Sequence, residues 1–313
     1  MIKKRLMFMG TPEISAICLK QLLDDGHGIT AVITGEDKPR GRGNTMTPTP
    51  VKSLALDHGI PVHTPKTLRD EAFCELLELY KPEIIVVVAY GKILPLNVIE
   101  YPKYGCVNLH VSLLPKYRGA APMQRAIMEG ETETGVTVMY MAEGLDTGDI
   151  ISVEKFPILP EDDFEAIHDR SAEVGGKLLS ETIEKIYNGT ADRIKQDDSL
   201  ACYARKVEKE DCKIDFTLPA AKLDPIIRGV TPIPGAFAFH KGKMLKINKA
   251  RPVDGCGRPG EVIDLSDKGE GYITVACGEG ALRVTVLIPE GKGKMTAGDF
   301  VRGRKISLGD ILE

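Results

Sequence analysis

Three side chains have the types and spacing to do chemistry together. In "VNLHVSLLPKYRGAAP" Asn108 and His110 stand two apart, and Asp146 follows later in the glycine-flanked "EGLDTGDI". In an extended strand alternate residues face the same way, so Asn108, His110 and Ser112 share one face and Val107 and Leu109 the other. A carboxamide N–H can hold a developing oxyanion, an imidazole exchanges a proton near neutral pH, and a carboxylate can orient that ring or a water. Plainer readings exist for each: a histidine satisfied by a backbone carbonyl, and an Asx-turn aspartate in "DTGD". Pro115 ends the strand, so Ser112–Pro115 is expected to be a rigid segment with backbone groups open to a ligand. Lys116, Arg118 and Gly119–Ala121 then lead into a helix from Pro122. An ordinary strand–loop–helix connection explains the proline and glycine but not the grouping of Asn, His, Lys and Arg.

The elements that must position these groups alternate between strand and helix. "RLMFMG" reads as a buried strand, and "TPEISAICLKQLLDDG" as a helix with Thr11 at its N-cap, Pro12 at N1 and Gly26 at its C-cap. "ITAVIT" is a strand and "TPVKSLALDHG" a helix. "EIIVVVAYG" is a nearly continuous β-branched run, as expected of a central parallel strand covered on both faces. "GCVNLHV" follows the same pattern. This alternation implies a doubly wound parallel sheet, whose ligands sit beyond the carboxyl ends of the strands. Asn108 and His110 lie at such an end.

A long helical pattern from about Glu161 closes this half at Gly189. The expected division is a Rossmann-like α/β domain over 1–189, a polar linker over 190–208 and an OB-like β-barrel over 209–313. The last assignment rests on short alternating strands punctuated by glycine, as in "GAFAFHKGKMLKINKARPV" and "GEVIDLSDKGEGYITVACGEGALRVTVLIPEG".

Composition excludes several classes. No apolar run approaches the roughly 18 residues of a membrane span, and the apolar stretch near Met1 is too short for a secretory signal. A cytoplasmic protein is expected. The seven cysteines form no CxxC pair, which argues against a zinc ribbon or dithiol site, and no His/Cys/Asp grouping has metal-ligand spacing. "MGTPE" after the first strand is not a GxGxxG dinucleotide fingerprint. A net charge of −4 does not advertise nucleic-acid binding, though it can hide a local basic patch. "TGEDKPRGRGNTMTPTPVK", Thr34–Lys52, is such a patch. It is long for a strand–helix connection and carries Lys38, Arg40, Arg42 and Lys52. It reads either as a solvated loop or as a flexible basic loop making phosphate contacts.

The stretches "NLHVSLLPKYRGAAPMQRAIMEGETETGV", "GLDTGD", "MFMGTPE", "VVVAYGKILP" and "PEGKGKMTAGDFVRG" together resemble the 10-formyltetrahydrofolate-dependent formyltransferase superfamily, and within it the branch that formylates methionyl-tRNA. The resemblance runs from about residue 5 to residue 308. It implies a Rossmann-like catalytic domain, a linker and an OB-like domain. It also implies formyl transfer to the amino group of methionine on initiator tRNA, with 10-formyltetrahydrofolate as donor, no metal, and a monomer. By similarity Asn108 and His110 donate to the oxyanion, and His110 and Asp146 manage the proton. The folate would lie against Ser112, Leu113, Leu114 and Pro115 and beside Ala89, Tyr90 and Gly91. The loop with Lys38, Arg40, Gly41, Arg42 and Lys52 would meet the tRNA acceptor end.

The C-terminal groups Lys241, Lys243, Lys246, Lys249 and Arg251, and Lys292, Lys294, Arg302, Arg304 and Lys305, read as a solvated face or as tRNA contacts. The chain departs from the family pattern at "TGEDKP", at Arg205 where proline is usual, and at Ile233 where an aromatic is common. Rival readings are a formyltransferase acting on an amino sugar nucleotide or on glycinamide ribonucleotide, a hydrolase of the same folate, and a non-catalytic RNA-binding module. The long basic loop and the residues after Gly189 weigh against the first two, and the intact trio against the last.

Overall fold

A computed structural model describes residues 4–40 and 45–313, Arg40 through its backbone alone. Two compact units emerge. The first comprises residues 1–119, 133–157 and 168–203, and the second 120–132, 158–167 and 204–313.

The first unit is built on a seven-stranded sheet. Its order is Ile150–Pro157, Glu133–Tyr140, Cys106–His110, Ile84–Val88, Leu6–Gly10, Ile29–Ile33 and Val62–His63. The five strands from Cys106–His110 onward pair in parallel. Glu133–Tyr140 and Ile150–Pro157 add as antiparallel neighbours at the other edge. The parallel centre is the sheet the sequence leads one to expect, and the two antiparallel edge strands extend it. The connection between those two strands is a short tight loop, which permits only antiparallel return. That loop carries Asp146.

Leu6–Gly10 and Ile84–Val88 are buried along their whole lengths, which explains their unbroken apolar composition. On one face Met7, Met9, Ile85, Val87 and Cys106 pack with Phe73 and Leu77. Those last two belong to a helix, Glu71–Tyr80, capped by Asp70, whose carboxylate accepts from Phe73 N. On the other face the Glu13–Asp24 helix meets the long helix Phe164–Asn188, where Cys18 Sγ donates to the Ala172 carbonyl. A glycine in the long helix also lets it lie close on the sheet. A Cβ on Gly175 would sit 2.7 Å from Leu109 Cδ2.

Thr11 is not the N-cap of the first helix. Pro12 takes that position without a side-chain cap, because the Thr11 hydroxyl instead accepts from Gly35 N and faces the Tyr90 carbonyl. Gly26 ends that helix with φ +82° and an N–H donated to Leu23, the left-handed role expected of it. Thr49 caps the Pro50–Asp57 helix as its sequence suggests.

The second unit is an antiparallel sheet in the order Ala236–His240, Lys243–Val253, Ala281–Pro289, Tyr272–Ala276, Val262–Ser266, with Met295–Thr296 beside Ala281–Pro289. Its chain end joins the two edges. Leu312 bridges to His240 and Ile311 to Glu261, and Phe239 and Glu313 exchange both backbone hydrogen bonds. Such closure removes the free edges that an open sheet exposes. A helix that the sequence reading omits, Ala220–Val230, adds Leu223, Ile227 and Val230 to this core. Gly229 lets it approach the Pro122–Met128 helix, a Cβ there meeting Met128 Cγ at 2.6 Å.

Candidate active site

Cys106–His110 lies between Ile84–Val88 and Glu133–Tyr140, with Asn108 opposite Met139 and His110 opposite Thr137. Asn108 is half-buried, and His110 is 6% exposed. Asn108 is the middle residue of the strand, and His110 is its last, where the chain passes into the Val111–Tyr117 loop.

Both ring nitrogens of His110 are engaged. Nε2 lies 2.9 Å from the Tyr117 carbonyl oxygen. A carbonyl can only accept, so Nε2 carries the proton. Nδ1 faces Asp146 Oδ2 at 3.6 Å. The same Oδ2 accepts from Gly119 N at 2.8 Å, which fixes the carboxylate before any substrate arrives. Nε2–H is thus engaged by Tyr117, and Nδ1 is the ring atom that faces the carboxylate.

Asp146 has φ +54°, and Tyr117, whose carbonyl holds the imidazole, has φ +59°. Left-handed backbone is rare for residues with a Cβ and persists where surrounding contacts impose it. Those contacts come from the segment expected to be a linker. Ile194 bridges to Ile150, and Gln196 Nε2 donates to the carbonyls of Asp146 and Gly148, both at 2.8 Å. Its Oε1 accepts from Arg118 Nε and Nη2 at 3.1 and 2.7 Å. Cys202 completes the join, its carbonyl accepting from Arg118 N at 2.9 Å and its Sγ from Tyr117 N at 3.2 Å. Residues 190–203 therefore pack as part of the first unit. Nothing in their polar, weakly periodic sequence signals this. Arg118 too is placed otherwise than its neighbours suggest: it is 2% exposed and ion-paired to Asp198, so its charge is not presented to a ligand.

The Ser112–Pro115 segment is less open than expected. Thr137 Oγ1 donates to the Ser112 carbonyl at 2.7 Å and accepts from Leu114 N at 3.2 Å, while Lys116 N bonds to the Leu113 carbonyl. The buried Ser112 hydroxyl closes on the Lys116 carbonyl. Much of this backbone is thus already satisfied. Half-buried Leu113 and Pro115 offer apolar surface instead, and Leu114 is buried. At the neighbouring strand end Ala89 and Gly91 are exposed, both with positive φ. Tyr90 turns into the core with Val87 and Met9, and its hydroxyl finds no partner among the described residues. Burial pushes its phenol up to about 12, so it stays protonated.

Family models for "Formyl transferase" and "Formyl transferase, C-terminal domain" match residues 3–183 and 206–305. Methionyl-tRNA formyltransferase of Geotalea uraniireducens is 47% identical over 308 residues, spanning 98% of this chain and 97% of that protein. That of Moorella thermoacetica is 48% identical over 310 residues, covering 98% and 99%. The chain belongs to the formyl transferase family. Solved structures agree on the fold. An N-formyltransferase from Helicobacter canadensis, in complex with folinic acid and dTDP-3-aminofucose, superposes with a TM-score of 0.67 at 21% identity, covering 90% of this chain and 99% of that one. HypX from Aquifex aeolicus in complex with tetrahydrofolic acid gives 0.66 at 20% identity, covering 95% of this chain and 46% of that longer one.

In this formyl transferase the basic segment is not simply a loop. Lys38–Arg40 and Thr45–Thr47 pair antiparallel, and their base is fastened by the Thr34–Thr49 hydroxyl pair at 2.8 Å. Lys38 is exposed. Lys52 is instead half-buried and bound to both Asp37 oxygens, at 2.9 and 2.7 Å. Gly41 and Arg42 lie outside the described residues. In the second unit Arg205 forks onto Asp211, which Arg125 also binds. Two of the expected tRNA-facing lysines have protein partners: Lys241 pairs with Asp310 and Lys246 donates to the Pro234 carbonyl. Lys243, Lys249 and Arg251 are exposed. Among the described residues no group of His, Cys, Asp and Glu is arranged to hold a metal ion, and no helix is long and apolar enough to cross a membrane.

Proposed function

We infer that the protein transfers the formyl group of 10-formyltetrahydrofolate to the amino group of methionyl initiator tRNA, yielding N-formylmethionyl-tRNA for translation initiation. The substrate assignment is carried by near-full-length identity of 47–48% to proteins of that name. The geometry supports the chemistry. The neutral amine adds to the formyl carbon, the carbonyl oxygen takes the charge, and the folate nitrogen leaves with a proton. An α-amino group has a pKa of roughly 7.7–8.0, so a useful fraction is uncharged near neutrality.

Asn108 and His110, toward the carboxyl end of a sheet strand, stand where ligands of open α/β sheets bind. The Asn108 carboxamide donates to the oxyanion. His110 Nδ1 takes the proton lost by the amine and returns it toward the leaving nitrogen. Asp146 stabilises the ring while it is charged and keeps it facing the same way. The half-buried Leu113 and Pro115, with exposed Ala89 and Gly91 on either side of the buried Tyr90, form an apolar rim for the flat folate ring, beside Ser112 and Leu114. Lys38 and the neighbouring Arg40, Gly41 and Arg42 approach the acceptor-end phosphates, with Lys52 supporting the ribbon through Asp37. Residues 1–189 carry the catalysis, and the 209–313 barrel supplies further phosphate contacts from its exposed lysines. The enzyme acts as a monomer in the cytoplasm, where charged tRNA and folate are both present.

Labelled 10-formyltetrahydrofolate offered in parallel to methionyl initiator tRNA, methionyl elongator tRNA and a dTDP-linked amino sugar tests this reading. Label should pass to the initiator tRNA in preference to the other two. Transfer to the amino sugar alone would overturn the substrate assignment while leaving the fold reading intact.

A further inference from the structure

We propose that Gln196, held by Arg118, is a positioning residue that sets the distance between Asp146 and His110; this rests on the catalytic reading above. A carboxamide has two N–H donors and one oxygen with two lone pairs, and Gln196 uses all four. Its Nε2 donates to the Asp146 and Gly148 carbonyls and its Oε1 accepts twice from Arg118. Rotating the amide would set its N–H groups against a guanidinium and its oxygen against two carbonyls, so only one orientation is tolerated. Arg118 is fixed in turn, being buried and ion-paired to Asp198 at 2.7 Å.

The position of Arg118 in the chain gives this pairing its meaning. The residue before it, Tyr117, holds His110 Nε2 through its carbonyl, and the residue after it, Gly119, donates its N–H to Asp146 Oδ2. One closed ring of hydrogen bonds thus runs from Asp146 through Gly119 and Arg118 to Gln196 and back to the Asp146 backbone. Asp146 is gripped by side chain and carbonyl together, in a left-handed conformation that it does not favour alone. The turn beyond it has no slack, since a Cβ on Gly148 would fall 1.7 Å from the Tyr140 carbonyl oxygen. Gln196 touches no reacting atom; it acts through Asp146.

The test compares Gln196→Met, which preserves length and removes every hydrogen bond, and Arg118→Lys, which keeps charge and loses the planar fork, each alone and combined with Asp146→Asn. Misplacing a catalytic group by a fraction of an ångström to an ångström costs on the order of 10- to 100-fold. Single-turnover transfer by Gln196→Met should therefore slow by about that factor. KM for tRNA and folate should change by less than about twofold. In the Asp146→Asn background the same substitution should cost less than about twofold more, because the group it positions no longer works. A merely structural role would give equal losses in both backgrounds, and that result overturns the proposal.

Amide hydrogen exchange at Gly119 supplies a second readout independent of activity. Its N–H bond to Asp146 should weaken in Gln196→Met, with exchange at least about tenfold faster. Unchanged Gly119 exchange also overturns the proposal. If the wild type transfers no formyl group at all, the functional reading fails, and the Gly119 exchange still decides whether Gln196 positions Asp146.

Discussion

Replacing Asp146 by Asn removes a charge and little else. The Asn carbonyl oxygen can still accept from Gly119 N, now 2.8 Å from Oδ2, so the loop keeps its anchor. What disappears is the attraction between carboxylate and imidazolium across 3.6 Å. At an effective dielectric of about 20 that attraction is roughly 4–5 kcal/mol. The aspartate side chain is 15% exposed, which screens part of it. A fall in kcat between about a hundredfold and a thousandfold follows, at 1.4 kcal/mol per decade. The assay is single-turnover formylation of methionyl initiator tRNA at saturating 10-formyltetrahydrofolate, with KM for both substrates measured beside it. Because the charge acts when the proton moves, the loss should fall on kcat and spare both KM values. A loss of less than about tenfold, or one confined to KM, would refute the claim that the carboxylate stabilises a charged His110.

Three further outcomes follow from the same geometry. Asn108→Ala should lower kcat by on the order of a hundredfold, the usual loss for one oxyanion donor; steady-state kinetics with near-normal KM would check it. Lys38→Ala with Arg42→Ala should weaken tRNA binding similarly across sequences and reduce the slope of log K against log salt by about one for each phosphate no longer neutralised, read by filter binding at several ionic strengths. Burial raises the Asp211 carboxyl, but hydrogen bonds from Arg125, Arg205 and the Glu208 N–H outweigh it and hold the group well below the usual carboxylate range. A carboxylate depressed on folding stabilises above its unfolded pKa, about 4, and that stability is lost as pH falls through the folded value. Asp211→Asn should therefore lower the urea midpoint at pH 7, and the gap from the wild type should narrow only as pH falls below about 4 toward the depressed folded value, followed by circular dichroism because the chain has no tryptophan.

The sequence shows the candidate site most clearly where the information is local. Asn-x-His on an apolar strand carries its own alternation, and the burial of Val107 and Leu109 against the half-buried Asn108 follows it. The β-branched run at Ile84–Val88 likewise announces a doubly covered strand. Legibility falls where distant residues decide the outcome. Gln196 lies in a charged stretch without periodicity, and its value comes from two carbonyls about fifty positions earlier. Arg118 looks like a surface cation beside Lys116, yet its partners Gln196 and Asp198 draw it inside. The Ser112–Pro115 backbone looks free until Thr137, on an adjacent strand, satisfies it. Ile150–Pro157 returns antiparallel to Glu133–Tyr140 because the loop joining them is too short for a crossover, a consequence of loop length that apolar pattern does not encode. Barrel closure is hidden for a similar reason: it depends on the last few residues reaching both sheet edges.

The central claim is that the His110–Asp146 pair at the strand end moves the proton of a formyl transfer to methionyl-tRNA. Its most direct test is single-turnover transfer by purified wild type and His110→Ala with 10-formyltetrahydrofolate and methionyl initiator tRNA. The wild type should form N-formylmethionyl-tRNA, and His110→Ala should bind both substrates yet slow the chemical step by at least about a hundredfold. Equal single-turnover rates for the two proteins would contradict the account.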